Sequence, residues 1–281
     1  MVTEVREVLP GTAPEQAKGL LLDIAKPARR SFCGIPIAAM TMRQVLDCID
    51  EVVARRGRLL IGVVNAAKVV NMRRNPLLCQ DVLSSDLILA DGISVVWACR
   101  LLGQPLPERV TGIDLFEEIL RAGNERGYRV YCLGATQEVL DAVTARIAAE
   151  FPGVKIVGAH NGYFCEGEEA AIAAEIEAAG ADVLFVAITS PKKEKFMARW
   201  GERMHVSVCH GVGGSFDVFA GKVERAPAGW QRVGLEWLYR LVQEPRRLFR
   251  RYLVTNTLFC LMVLRELFRP TPQSGMPSHR S

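Results

Sequence analysis

The stretch Asp86–Gly112, DLILADGISVVWACRLLGQPLPERVTG, decides how the chain is read. Its apolar run Leu87-Ile88-Leu89-Ala90 is short and continuous, without the in–out alternation of a half-buried strand. Such a run predicts a strand covered on both faces, as in a parallel sheet. Asp91 and Gly92 end the run, and an apolar, helix-like segment follows at once from Ile93. A polar loop then carries Glu108, Arg109 and Thr111.

The same grammar repeats on either side. LLIGVVN (59–65), RVYCLG (129–134), VKIVGA (154–159), DVLFVAI (182–188) and HVSVCHGVG (205–213) are further strand-like runs. Between them lie good helix formers such as TQEVLDAVTARIAAEF and EGEEAAIAAEIEAAG, with apolar spacing near that of a helix. Strand and helix alternation with continuous apolar strands predicts an α/β fold, a mostly parallel sheet with helices on both faces. Residues 1–30, rich in Pro, Gly and charge, read as a variable leader, and 31–221 as the core. After Gly221 the strand signal stops. Residues 222–269 read as a basic, helical appendage in which Trp230, Val233, Trp237, Leu238 and Leu241 recur at helical spacing. Pro245 suits the first turn of its second helix. Residues 270–281 read as a disordered tail.

With 281 residues, 49% of them hydrophobic and 23% charged, the chain has room for a substantial core. A net charge of +4 is too mild to suggest nucleic acid as a partner. The eight cysteines are spread singly and no CxxC pair occurs, which argues against a metal site or a disulfide framework. They read as small buried hydrophobes in a reducing compartment. The N-terminus has no sustained apolar core of a signal peptide, and no stretch reaches the ~18 apolar residues of a membrane span. The expected location is the cytoplasm.

In open parallel sheets, ligands bind beyond the carboxyl ends of the strands. The polar residues and turns collected there are Asn65, Asp91, Gly134-Ala135-Thr136, Gly162-Tyr163, Thr189 to Glu194 including Lys193, and Gly211 to Asp217 including Gly214. Glycine-containing turns into helices offer free backbone N–H groups to a phosphate, and two of them together favour a diphosphate-bearing ligand. GVGGSF is neither a Walker A loop nor a dinucleotide fingerprint. Each residue also has a plain structural reading. Asp91 could cap the helix beginning near Ile93, Asn65 could end a strand, and Arg109 and Lys193 could be surface charges. From spacing alone a cap and a functional carboxylate look alike.

Read together, VVNAAKVV, SSDLILADGISVVWA, PERVTGIDLFEEI, NGYF, SPKKEKF, GVGGSFDVFAGKVERAP and GLEWLYRLVQEPRRLFRRYL resemble the WecG/TagA/CpsF family of bacterial glycosyltransferases. The resemblance runs from about Phe32 to Phe268. It implies a Rossmann-like core holding a UDP-sugar and an appendage completing the acceptor side. The implied reaction is inverting transfer of an N-acetylmannosamine-type sugar to an undecaprenyl-diphosphate-linked sugar, in cell-surface polysaccharide, teichoic acid or capsule synthesis, with no metal or other cofactor. It further implies that Asp91 is the general base and that Asn65, Arg109 and Asp217 meet substrate. Arg240, Arg247 and Arg250 would meet the lipid diphosphate. Thr111, Gly134, Lys193 and Gly214 complete the expected substrate-binding set. Two positions depart from the family's usual pattern: Val63 replaces a Thr, and Lys193 replaces a Gln. An ammonium donates but cannot accept, so the donor sugar could instead be a uronic acid, or glucose.

The basic cluster Arg246, Arg247, Arg250 and Arg251, followed by LFCLMVL (258–264), is expected to rest on the inner face of the cell membrane. The alternative is a helix that packs on the core or on a second copy in a homo-oligomer. Two other functions stay open at this point: a nucleotide-sugar oxidoreductase, and a non-catalytic UDP-sugar-binding component of polysaccharide assembly.

Overall fold

The computed structural model describes residues 27–268 except residue 233. Residues 1–26 of the segment read as leader, residue 269 of the appendage and the tail 270–281 lie outside this range. The described chain opens with an antiparallel hairpin, β1 (Arg29–Phe32) and β2 (Ile35–Ala38), turned by Cys33 and Gly34 at positive φ. These strands had no counterpart among the sequence's apolar runs, and β1 starts two residues inside the segment read as leader. Helix α1 (Met42–Ala54) follows, opened by a capping box in which Thr41 and Gln44 satisfy one another's backbone N–H groups.

The core then alternates: β3 (Leu59–Val64), α2 (Ala66–Arg74), α3 (Pro76–Leu83), β4 (Leu87–Ala90), α4 (Ile93–Leu101), α5 (Gly112–Arg126) and β5 (Arg129–Gly134). It continues with α6 (Gln137–Glu150), β6 (Lys155–His160), α7 (Glu169–Ala179), β7 (Val183–Ala187), α8 (Lys192–Trp200), β8 (Val208–His210) and α9 (Ser215–Phe219). Helices α5 and α7 stop at Gly127 and Gly180, both left-handed, a conformation glycine adopts without steric cost. Strand β8 is shorter than its apolar run, because the chain turns at Gly211 to Gly214.

The six-stranded sheet has the order β4-β3-β8-β7-β5-β6, and every pairing is parallel. Alternate residues of one strand enter opposite layers, and both layers are buried. On β7, Val183 and Phe185 join the layer formed by α1, α5, α6 and α9, while Leu184 and Val186 join that of α7 and α8. Two-sided burial is why these strands read as unbroken apolar runs. β3 leads into α2 on one face and its neighbour β8 leads into α9 on the other. The loops at their carboxyl ends therefore diverge and leave a crevice.

Three helices complete the chain: α10 (Ala228–Arg232), α11 (Glu236–Gln243) and α12 (Pro245–Leu267). Pro245 stands in the first turn of α12, as its missing N–H favours. One side of α12 packs on the core, where Phe259 and Val263 join Val69, Met72 and Phe32. The rings of Phe32 and Phe259 lie 5.7 Å apart. Burying a side chain such as Phe259 stabilises by about 1.5–3 kcal/mol. The other side leaves Phe249, Leu253, Leu261, Leu264 and Phe268 exposed. Among the described residues no helix is long and apolar enough to cross a membrane.

Candidate functional site

Val64 of β3 and Ala90 of β4 are register partners, so the next residues, Asn65 and Asp91, leave the sheet side by side. The loops approach closely: a Cβ on Gly92 would stand 3.0 Å from the Cβ of Asn65. Glycine permits that approach.

Asp91 does not cap the helix that follows it. Gly92 takes that position, with no side-chain cap bond. The Asp91 carboxylate reaches instead across the sheet edge, where Oδ1 accepts 2.9 Å from the N–H of Gly112, the first residue of α5. That N–H is one of the donors a helix start leaves unpaired. Among the described residues Oδ2 carries no hydrogen bond. One oxygen is oriented and the other is available. The carbonyl of Gly112 lies 3.2 Å from Nε2 of His210, which is fully buried at the end of β8. A carbonyl only accepts, so Nε2 carries the proton. Burial pushes the His210 imidazole down to about 4, which keeps it neutral at pH 7.

Thr111 caps α5: its hydroxyl accepts from the Asp114 N–H at 3.1 Å and donates to the Asp114 carboxylate at 2.6 Å. Asn65 caps α2 through Oδ1, which accepts from the Lys68 N–H at 3.0 Å. Its amide nitrogen has no partner among the described residues. Arg109 is not a free surface charge. It pairs at 2.7 Å with Glu236 of α11, and Arg225 beside it pairs with Asp114, so the appendage is tied to the loop that follows α4.

Lys193 is buried, with only 6% of its surface exposed. Its ammonium donates to the Gly211 carbonyl at 3.4 Å and lies 3.6 Å from Glu194, whose carboxylate also pairs with Lys68 at 2.6 Å. Burial and the neighbouring Lys68 charge push Lys193 down to about 8, while Glu194 and Asp91 pull the other way. Burial opposes ionisation of Glu194, yet the Lys68 and Lys193 ammoniums hold it down to about 2.

The glycine turns take two forms. Gly134 sits at φ +130°, and a Cβ there would come 2.4 Å from the Ala187 backbone, so that glycine allows two strand ends to touch. Gly214 precedes the five-residue α9, with Asp217 in its first turn. Arg240 and Arg250 are exposed on α11 and α12, whereas the side chain of Arg247 lies outside the described residues. Among the described residues no group of three or more His, Cys, Asp or Glu side chains could hold a metal ion.

The structure thus brings Asn65, Asp91, Thr111, Lys193 and the Gly211–Asp217 turn to one end of the sheet. Glu194, collected with the strand-end residues, joins them, and so do three residues that sequence reasoning did not single out: Lys68, His210 and Glu236. Lys68 had a signal, since it stands three residues after a strand-end Asn, where a capping side chain bonds. The others are placed by strand order.

Residues 30–273 match the glycosyl transferase WecG/TagA/CpsF family. Over 199 residues the chain is 39% identical to the N-acetylglucosaminyldiphosphoundecaprenol N-acetyl-beta-D-mannosaminyltransferase of Bacillus subtilis (strain 168), covering 69% of this chain and 76% of that protein. A protein of the same name from Bacillus spizizenii (strain ATCC 23059 / NRRL B-14472 / W23) is 39% identical over 174 residues, 62% of this chain and 67% of the relative. The chain belongs to the WecG/TagA/CpsF family of glycosyl transferases.

Proposed function

We propose that this family member moves a sugar from a UDP-sugar to a sugar linked to a polyprenyl diphosphate, in the synthesis of a bacterial cell-surface polysaccharide. The observation that carries the reading is Asp91, a strand-end carboxylate with Oδ1 fixed by the Gly112 amide and Oδ2 unengaged. Oδ2 takes the proton of the acceptor hydroxyl as that oxygen attacks the anomeric carbon. The bond from that carbon to the UDP oxygen breaks, and the diphosphate leaves with its electron pair on the opposite face. The products are the inverted glycoside and UDP.

Charge growing on the leaving diphosphate needs positive partners. The partners in this reading are Arg109, which Glu236 holds, and backbone N–H groups of the Gly134 and Gly214 turns. Asn65 offers its free amide N–H to the donor, and Thr111 holds the loop that delivers Gly112 to Asp91. Asp217 contacts the donor from the far side of the crevice. Arg240, Arg247 and Arg250 of the appendage meet the lipid diphosphate. Exposure of Arg240 and Arg250 supports this role. The exposed apolar row of α12 beside those arginines supports a peripheral place on the inner membrane face.

The relatives' names favour an N-acetylmannosamine donor and an N-acetylglucosamine acceptor. A panel of UDP-sugars offered with a short-chain polyprenyl-diphosphate N-acetylglucosamine, read by mass spectrometry, tests the whole reading. The expected product is the acceptor plus one N-acetylhexosamine. A panel in which no UDP-sugar yields a lipid-linked product refutes transferase function.

A further inference from the structure

Under the candidate site lies a group of charges that capping and packing do not account for. Glu194 and Lys193 are buried and Lys68 is largely so, with side chains 7%, 8% and 11% exposed. They come from two segments 126 residues apart in sequence. One carboxylate serves two ammoniums. A charge cluster in the interior is costly, and apolar side chains of similar size would fill the space at less cost. Carboxylates beyond Glu194 also face it: Asp91 attracts Lys193, and Asp81 shares the small cavity that the three line. Buried His210 is neutral and adds no charge.

The cluster's connections are directional. Glu194 holds the Lys68 ammonium at 2.6 Å, and the backbone N–H of the same Lys68 holds the Asn65 side chain at 3.0 Å. On the other side Lys193 donates to the carbonyl of Gly211, and its stem lies 3.1 Å from where a Cβ of that residue would be. Its ammonium lies 3.6 Å from where a Cβ would stand on Gly213, which has φ +56°. The glycine turn is folded directly over the ammonium. Three loops at the carboxyl ends of β3, β7 and β8 are therefore joined through one set of charges.

We infer that Lys68, Glu194 and Lys193 form a buried strut that positions Asn65 on one side and the Gly211–Gly214 turn on the other for binding of the nucleoside diphosphate of the donor. The inference rests on the glycosyltransferase reading above. Lys193 then acts on the donor through the turn it supports, and the three are positioning residues. What Lys193 must supply is an N–H donor to Gly211, and a glutamine can also supply one.

The test compares Lys193→Met, Lys193→Gln, Lys68→Met and Lys68→Arg with the unaltered protein. UDP affinity is read by calorimetry, donor KM and kcat by product formation, and stability by thermal melting. Lys193→Met removes the ammonium but leaves the Lys68–Glu194 pair. It should weaken UDP binding and raise donor KM by about tenfold, the loss expected for one buried hydrogen bond, with kcat little changed and no fall in melting temperature. Lys193→Gln should restore affinity to within about threefold. Lys68→Arg should bind better than Lys68→Met. Unaltered UDP affinity in Lys193→Met overturns the strut. So does equal impairment of Lys193→Met and Lys193→Gln together with a lowered melting temperature, the mark of a merely structural residue. If the unaltered protein itself binds no UDP, the transferase reading fails first, and the strut's role with it.

Discussion

Asp91 shows how far a single residue could be read. Its place at the end of an apolar run was legible, but whether it capped a helix or faced a ligand was not, since both need a carboxylate at a strand end. The structure excludes the cap, because Gly92 caps the helix and Asp91 reaches Gly112. Lys193 was legible as a departure, and only the fold reveals that it is buried. Its burial has a measurable consequence. With its folded pKa lowered from 10.5 to about 8, the unfolded chain binds more protons at this group between those values, so the Lys193 contribution rises as pH goes from about 8 to about 10.5. Buried Cys99, Cys132 and Cys209, whose thiols burial pushes up, act in the opposite direction over part of that range, so the effect is read as a difference. Relative to Lys193→Met, the urea midpoint of the unaltered protein should gain as pH rises through that window. Glu194 works the other way: its folded pKa of about 2 lies below the usual 4.5, so its contribution is present above pH 4.5 and lost as pH falls toward 2. Acid unfolding should therefore shift to higher pH in Lys68→Met.

Among elements, five of the six parallel strands were legible because two-sided burial leaves an unbroken apolar run, while the edge strand β6, which has no buried residue, was legible from its apolar composition alone. The hairpin Arg29–Ala38 was not, since four-residue strands bearing Arg29, Arg30 and Pro36 carry no such run. Helix α12 divides into two faces with different fates. Its buried face is a structural tie: Phe259→Ala should cost about 3 kcal/mol, read as a lowered urea midpoint. Removing everything after Gly221 would uncover Phe32, Val69 and Met72, so truncation confounds folding with any membrane role. The exposed face is the proper target. Leu253→Glu with Leu261→Glu should leave the melting temperature within a few degrees while reducing sedimentation with anionic vesicles several-fold. The unaltered protein's vesicle binding should also weaken as salt is raised from about 0.1 to 0.5 M. Unchanged vesicle binding in the double variant would remove α12 from that role.

For the whole molecule, the fold class could be read from alternation alone, but strand order could not. Nothing local specifies that β8 inserts between β3 and β7. That insertion brings His210 toward Gly112 and the glycine turn over Lys193, whose neighbour Glu194 meets Lys68. Sequence motifs supplied a family and the carboxylate proposed as base, while long-range pairing supplied the groups packed around it. Family membership and the oriented Asp91 together make one central claim, that this carboxylate activates the acceptor hydroxyl. The most direct measurement is transfer from UDP-N-acetylmannosamine to a short-chain polyprenyl-diphosphate N-acetylglucosamine by Asp91→Asn, with UDP affinity measured on the same preparation. Transfer should fall by at least about a hundredfold while UDP affinity stays within about threefold. Transfer at the rate of the unaltered protein would contradict the account.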